Sequence, residues 1–291
     1  MNVSSSFNKH MLKKIAAETV GKDVAAKLWK RIEIIGDLVV IRKPFDIEIH
    51  ILKPIAERLL EIMPYIRSVW VAISPVKGAE RIREYVHLAG EARSETIYKE
   101  HGCRFKLDIR KVYISPVLGY DHIRTARLVR RDEIIANFFA GIGGYSIIIS
   151  KYVNPVYVIS IDLNSVAVRY LKENVELNKV EAFNEVIHGD ALILARSFRN
   201  IDRALLPCPE LSLEAFKELL RAPVLKRGAY VHAHEFVNAG NKREAVTKAF
   251  SNYVRVAENY GVKLALSGHH VIRSVGPRRY HVVLDIKVLN S

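Results

Sequence analysis

Cysteine is almost missing from this chain. Its 291 residues include only Cys103 and Cys208, which lie far apart and in no metal-type spacing, so disulfide frameworks and cysteine-ligated metals are excluded and a buried thiol is the expectation for Cys103. A run of ~18 uninterrupted apolar residues is also lacking. The start, Met1-Asn2-Val3-Ser4-Ser5-Ser6, has no charged segment leading into an apolar one, which argues against a membrane span or a signal peptide and for a soluble, cytoplasmic protein. Internal repeats and low-complexity tracts are absent as well. What remains is an ordinary globular composition with 49% apolar residues, long enough for two domains, and an excess of cations: a net charge of +14.

That excess points to a polyanion, or else to a Lys/Arg-rich solvated surface. Its location favours the polyanion. Between Arg81 and Arg131 there are 12 Lys/Arg against 6 Asp/Glu, whereas from Asp132 to Asn200 there are 6 against 8. Such an uneven distribution sets a basic face beside a neutral segment, the arrangement an enzyme acting on nucleic acid needs.

The neutral segment carries the most informative motif. An apolar run ends in Asn137-Phe138-Phe139-Ala140-Gly141-Ile142-Gly143-Gly144, and a helix-like run follows. Nineteen residues beyond Gly143, the run Val156-Tyr157-Val158-Ile159-Ser160-Ile161 ends in Asp162. A glycine turn admits close approach of a ligand, and an acid at the tip of the neighbouring strand can accept two hydrogen bonds from a ribose diol. The third glycine of a dinucleotide fingerprint is missing near Ser146, and Gly-x-Gly after Phe-Ala suits S-adenosylmethionine better than NAD. A further run, Glu185-Val186-Ile187-His188, leads into Gly189-Asp190-Ala191. Asp190 alone reads as a surface turn residue, but its place in this order suits an acid near adenine.

Residues 8–31 read as helix, with Met11, Leu12, Ile15, Ala16 and Val20 at helical spacing and Gly21 as a stop. A strand pair turning at Gly36-Asp37, a helix over 49–62 and short strands near 68–71, 85–88, 94–97 and 105–107 make a small α+β module. The chain then reads as a basic helix over 118–131. Seven strand-like runs follow, at 134–138, 156–161, 185–187, 204–206, 229–232, 263–267 and 280–286, separated mostly by helix-length segments. The expected organisation is a helical segment 1–31, a small α+β domain 32–117 and a Rossmann-like α/β domain 118–291 with the seven-stranded sheet of class I methyltransferases.

Several segments together resemble a known family. They are Ile35-Gly36-Asp37-Leu38-Val39-Val40, Gly90-Glu91-Ala92-Arg93-Ser94-Glu95-Thr96, Glu100-His101-Gly102-Cys103-Arg104-Phe105-Lys106-Leu107-Asp108, Lys111-Val112-Tyr113-Ile114-Ser115-Pro116, the Phe139–Gly143 turn, Asp202-Arg203, Arg273-Ser274-Val275 and His281-Val282-Val283-Leu284-Asp285. The pattern is similar to the archaeal and eukaryotic family of tRNA guanine-37 N1-methyltransferases and wybutosine-synthesis enzymes, over residues 30 to 288. Resemblance implies S-adenosylmethionine as cofactor and the tRNA anticodon loop, at position 37, as substrate; a monomer is the expected assembly. It allows three reactions: methylation of guanine N1, methylation of carbon 7 of the tricyclic base built from that guanosine, or aminocarboxypropyl transfer to that carbon. The extra N-terminal domain of some members has no room here.

Departures choose among these reactions. Val117 stands where the N1 enzymes carry an arginine, Pro207-Cys208-Pro209 where they carry Asn-Leu-Pro, and Asn137 where an acid precedes the turn. Taking the proton from guanine N1 needs a base and donors for charge on O6, which an aliphatic side chain and a proline do not supply. An electron-rich tricyclic carbon has less need of them. Carbon-7 methylation is therefore favoured, with aminocarboxypropyl transfer as the rival, because Ala229–Val237 resembles the histidine-containing strand of those members; a tRNA-binding protein with a degenerate cofactor site is the non-enzymatic alternative. Cofactor contacts fall to Phe139, Ala140, Gly141, Ile142, Gly143, Asp162, Leu163, Asp190 and Ala191. Pro207, Cys208 and Pro209 are candidates for base entry or for a rigid turn, and Tyr113 for base stacking or for core packing. Arg104, Lys106, Arg110, Lys111, Arg124, Arg127, Arg130 and Arg131 make the candidate tRNA face. His232 and His234 share a strand face without a third ligand at suitable spacing, so no metal is expected.

Overall fold

The computed structural model describes residues 11–29, 31–78 and 80–290. The chain forms two units, one from residues up to 99 together with 106–116, the other from 100–105 and 117–291.

In the smaller unit the first helical stretch is broken. Helix α1 (Met11–Thr19) buries Leu12, Ile15 and Ala16, the stripe its spacing predicts. Gly21, at φ 96°, then interrupts the helical path before α2 (Lys22–Lys27); residues 8–10 and 30 of the expected helix lie outside the described residues. Next come β1 (Glu33–Ile35), β2 (Leu38–Arg42), helix α3 (Lys53–Ile62), β3 (Ser68–Ala72) and β4 (Tyr85–Gly90), and the four strands form one sheet in the order β1-β2-β3-β4. Every residue of β3 is buried, as a central strand requires. A separate two-stranded sheet pairs β5 (Glu95–Glu100) with β6 (Cys103–Asp108).

The larger unit begins with α4 (Gly119–Ala126), shorter than the basic helix expected to 131. Beyond it the Leu128 carbonyl accepts from the Arg203 guanidinium at 2.8 Å and Val129 is buried, so tertiary partners draw the chain out of the helix. Then follow β7 (Ile134–Asn137), α5 (Gly144–Val153), β8 (Tyr157–Asp162), α6 (Ser165–Asn178), β9 (Asn184–His188), α7 (Ala191–Leu194), β10 (Ile201–Leu206), α8 (Ser212–Leu220), β11 (Leu225–Asn238), α9 (Lys242–Glu258), β12 (Leu264–Gly276) and β13 (Arg279–Val288). All seven expected strands are present, in the order β12-β13-β11-β10-β7-β8-β9. Six strands run in one direction, and β13, lying between β11 and β12, runs antiparallel to both. This is the sheet of class I methyltransferases. Its strand order reverses at β7, so the carboxyl ends of β7 and β10 flank the crevice where open α/β sheets bind ligands. Strands β11 and β12 outrun their expected lengths because polar residues such as His232, His234, His269 and Arg273 sit within them and mask the apolar run.

Helix ends follow local chemistry. Asn164 caps α6 by accepting from Val166 N and Ala167 N, and Asn241 caps α9 by accepting from Glu244 N. In the smaller unit the β1–β2 turn requires glycine: Gly36 has φ 59°, and a Cβ there would lie 2.1 Å from Thr96 Oγ1 and 2.7 Å from the Ile97 carbonyl. Gly36→Ala is expected to destabilise the smaller unit by at least about 2 kcal/mol, from left-handed strain plus overpacking. Denaturant titration followed by Trp70 fluorescence checks this, and an unchanged midpoint would show that the turn can re-form around alanine.

Candidate active site

The turn after β7 is held at both ends. Ala140 N donates to the Ile161 carbonyl at 2.8 Å, and Gly143 N to the Ala140 carbonyl at 2.9 Å. Gly141 and Gly143 have φ of 55° and 98°, yet they are glycines for different reasons. A Cβ on Gly143 would lie 2.4 Å from Leu171 Cδ1 and 2.7 Å from Ile147 Cδ1, so its absence lets α5 and α6 pack. A Cβ on Gly141 would meet nothing within 4 Å, so this side of the turn is open to a ligand.

Asp162, the last residue of β8, stands beside that opening. Its Oδ2 accepts from Gly141 N at 2.7 Å and its Oδ1 from Asn164 N at 2.9 Å, with the carboxylate half-buried. The Asp162 carbonyl in turn accepts from Gly189 N at 3.0 Å, which draws the β9 tip and Asp190 close. Asp190 caps α7 through Leu192 N at 2.8 Å, and Ala191 is buried behind it. Ala140 and Ile142 are buried, the Ile142 carbonyl accepts from Asn174 Nδ2 at 3.2 Å, and Phe139 packs on the main core. Leu163 is exposed, and its carbonyl faces His188 Nε2 at 3.0 Å. The cofactor candidates therefore converge at the carboxyl ends of β7, β8 and β9. An open backbone approach next to two strand-tip carboxylates fits an adenosyl group: carboxylate oxygens can accept from ribose hydroxyls and from an exocyclic amine.

At the end of β10, Pro207 is half-buried and Cys208 and Pro209 are buried; Leu211 N donates to the Cys208 carbonyl at 3.0 Å, closing a turn that leads into α8. Val117 is exposed. Asn137 is fully buried, donating through Nδ2 to Ser146 Oγ at 3.1 Å, while its Oδ1 has no hydrogen-bond partner. Cys103 is fully buried too, and burial pushes its thiol up to about 11. Tyr113 belongs to the smaller unit, where the Arg81 guanidinium lies 4.7 Å over its ring.

A buried polar network that residue spacing did not reveal underlies the site. Arg124 donates to Asp121 Oδ1 at 2.7 Å and to both oxygens of Asp285 at 2.6 and 3.0 Å. His232 Nδ1 lies 2.6 Å from Asp285 Oδ1, and Arg203 donates to His232 Nε2 at 2.5 Å while gripping Glu133 with two further bonds. Since a guanidinium only donates, His232 accepts at Nε2 and donates from Nδ1, a neutral ring, in keeping with burial holding its basicity down. On the other side Tyr145 donates to Asp121 at 2.6 Å and faces His234 Nε2 at 3.0 Å, and His234 Nδ1 faces His281 Nε2 at 3.0 Å. The two strand histidines thus serve hydrogen bonding, and among the described residues no group of three or more metal-ligating side chains forms.

Arg124 requires a correction: it is an interior cation clamped by two carboxylates, with a side chain 16% exposed, and cannot belong to a tRNA face. The linear sequence hid this because Asp285 lies 161 positions away. The remaining basic residues differ. Arg104, Arg110, Lys111, Arg127, Arg130 and Arg131 are exposed, and Lys106 is half-buried. Lys106 and Lys111 lie 3.7 Å from Glu95 and Asp108, Arg110 sits over Trp70, and Arg130 pairs with Asp132 at 3.2 Å. Arg127, Arg130 and Arg131 line a cleft of about 540 Å³ with His101 and Tyr152.

Burial alone would raise the Asp121 and Asp285 carboxyls, but hydrogen bonds from His234 and His232 and the Arg124 charge outweigh it and hold both well below the usual range. Both acids are depressed in the fold, so their contribution is complete above the unfolded value of about 4 and is lost as pH falls below it. Arg124→Met is expected to cost about 3–5 kcal/mol by stranding two buried carboxylates. Melting temperature followed from pH 7 to pH 2 should fall steeply for the wild type below pH ~4 and less for the variant; identical acid profiles would remove Arg124 from that role.

The TRM5/TYW2 methyltransferase domain matches residues 96–265. The tRNA 4-demethylwyosine(37)-methyltransferase Taw21 of Saccharolobus solfataricus is 42% identical over 89% of this chain and 94% of its own. Among solved structures, Trm5b from Pyrococcus abyssi superposes with a TM-score of 0.82 at 30% identity, covering 92% of this chain and 78% of that one. TYW2 of Pyrococcus horikoshii, in complex with MeSAdo, gives 0.76 at 27% identity, over 97% and 100%. With its strand order, its glycine turn and this similarity along most of its length, the chain belongs to the TRM5/TYW2 methyltransferase family.

Proposed function

We propose that this protein is an S-adenosylmethionine-dependent tRNA methyltransferase that methylates carbon 7 of the tricyclic wyosine precursor at position 37. The carrying observation is the 42% identity to Taw21 along nearly all of both chains. Val117 and Pro207, standing where the N1 enzymes carry an arginine and an asparagine, support it, since neither side chain offers a base or a donor for guanine N1. S-adenosylmethionine supplies the methyl group when bound. The complex of TYW2 with MeSAdo supports an adenosyl ligand, and the open side of Gly141 with Asp162 beside it suits one. In this reading Phe139 to Gly143 cradle the cofactor, Asp162 and Leu163 take the ribose end, and Asp190 with Ala191 the adenine. Pro207, Cys208 and Pro209 form the wall that receives the base.

The same reading takes the smaller unit, with Lys106, Arg110 and Lys111, as a tRNA-contacting domain, and Arg104, Arg127, Arg130 and Arg131 as phosphate contacts of the larger one. The same reading takes the enzyme as a monomer, working in the cytoplasm where tRNA is available.

Asp162→Ala is expected to weaken S-adenosylmethionine binding by about 1.5–3 kcal/mol in a folded protein; calorimetric affinity equal to wild type would take Asp162 out of the site. Arg127→Ala with Arg131→Ala is expected to flatten the log–log salt dependence of tRNA binding by up to about 2, leaving cofactor affinity unchanged. An identical slope would return both arginines to a merely solvated role. Turnover on tRNA with unmodified guanosine-37 is expected to be slower by at least ~100-fold than on tRNA carrying the tricyclic base. Mass analysis of the position-37 nucleoside decides: 1-methylguanosine formed efficiently would overturn the assignment, and a gain of an aminocarboxypropyl group would favour that rival reaction.

A further inference from the structure

Methylating a ring carbon leaves a task that methylating a ring nitrogen with a lone pair does not. Carbon 7 donates an electron pair to the cofactor's methyl group, so that the carbon–carbon bond forms as the methyl–sulfur bond breaks and S-adenosylhomocysteine is released. Carbon 7 then holds both the new methyl and its original hydrogen, and the ring carries a positive charge. Loss of that hydrogen as a proton returns the bonding pair to the ring. Some group must accept the proton, and neither the prolines nor Val117 can.

The end of β11 holds a carboxyl that nothing in the methyl-transfer scheme has used. β10 stops at Leu206, which pairs with Ala233, whereas β11 runs on to Asn238. Glu235 lies on this overhang, level with the segment that leaves β10 through Pro207-Cys208-Pro209. Its side chain is turned to the face covered by α8 and α9, opposite to that of His234. Tyr253 of α9 donates to Glu235 Oε1 at 2.7 Å and also lies 2.9 Å from Ser212 Oγ in the first turn of α8. Glu210, on the Pro-Cys-Pro segment, is the other charged group acting on it, and Glu210 itself lies 3.8 Å from Cys208 Sγ. Across the ladder Glu235 faces the apolar Val282 of β13. No Lys or Arg appears among these partners, so among the described residues Glu235 is a carboxyl without a counter-cation, anchored by one hydroxyl beside the proposed base-entry wall.

Resting on the carbon-7 reading, we propose that Glu235 is the catalytic base that accepts the proton leaving carbon 7 after methyl transfer, with Tyr253 orienting its carboxylate and water taking the proton onward. Its acid–base range agrees with that task. Burial first, and then the Glu210 charge, push the Glu235 carboxyl up to about 7 against the lowering effect of the Tyr253 hydroxyl, so at neutral pH it both accepts and releases a proton readily.

The test uses the full chain with S-adenosylmethionine, tRNA carrying the tricyclic base, and the same tRNA deuterated at carbon 7. Wild-type turnover should rise with pH through about 7 and show little isotope effect. Glu235→Gln keeps an oxygen for Tyr253 to donate to. It should bind cofactor and tRNA as wild type does, turn over about 100-fold more slowly, lose the pH rise and acquire a primary isotope effect, because proton loss has become limiting. Tyr253→Phe removes the lowering bond and should move the rise to higher pH. In the free protein, infrared titration should show a carboxyl band that disappears through the same pH range and is missing in Glu235→Gln. A Glu235→Gln enzyme with wild-type rate, pH profile and isotope effect, while still making the carbon-7 methylated product, would overturn the role of Glu235 and leave the carbon-7 reading standing. A product that is N1-methylated or aminocarboxypropylated would overturn the reading itself, and the proposal with it.

Discussion

The larger unit depends on one guanidinium enclosed by two carboxylates. Arg124 of α4 reaches Asp121 on its own helix and Asp285 on β13, and each acid passes the constraint on: Asp121 to Tyr145 of α5, Asp285 to His232 of β11. Desolvating three charges is costly unless every donor and acceptor is met. Here the geometry meets them, so the register of four elements is specified rather than merely permitted. Hydrophobic packing alone would hold α4 against the sheet without deciding where along it the helix stops. Arg203, which takes the Leu128 carbonyl and Glu133, completes that decision.

What this frame positions is a set of strand ends. Parallel strands whose order reverses at β7 leave their carboxyl tips converging, and the tips carry the glycine turn, Asp162, Asp190 and the Pro207–Pro209 segment. Asp162 has two parts in this. Its bond to Gly141 N fixes the turn, and its carboxylate stays partly exposed beside the open side of that turn. In the proposed reading the acids near the turn serve binding, which leaves the chemistry at the base to groups further along the sheet. A carbon nucleophile suits such a site: it needs no activation before methyl transfer and only a proton acceptor after it.

Local patterns were readable to very different depths. The glycine turn, the strand-tip acid and all seven strands of the large sheet show in the residue order, because each depends on neighbours within a few positions: alternation, caps and turn chemistry. Strand lengths were harder. β11 and β12 continue past their apolar runs because backbone pairing with β13 goes on where the side chains are polar. The basic run that reads as one face divides in space, since Arg124 turns inward while Arg127 and Arg131 stay exposed.

By itself, then, the sequence determined the alternating α/β class, the glycine turn with an acid at the neighbouring strand tip, and the family. Each of these is written in short-range order or in composition. Only the tertiary structure decided that Arg124 is structural, that His232 and His234 are hydrogen-bonding members of a buried network, and that Glu235, level with the segment at the end of β10, has no cation among its described partners. These are properties of burial and of partners far along the chain. A charged side chain has the same letter in water and in a core, and only its surroundings determine whether it solvates, clamps or carries a proton.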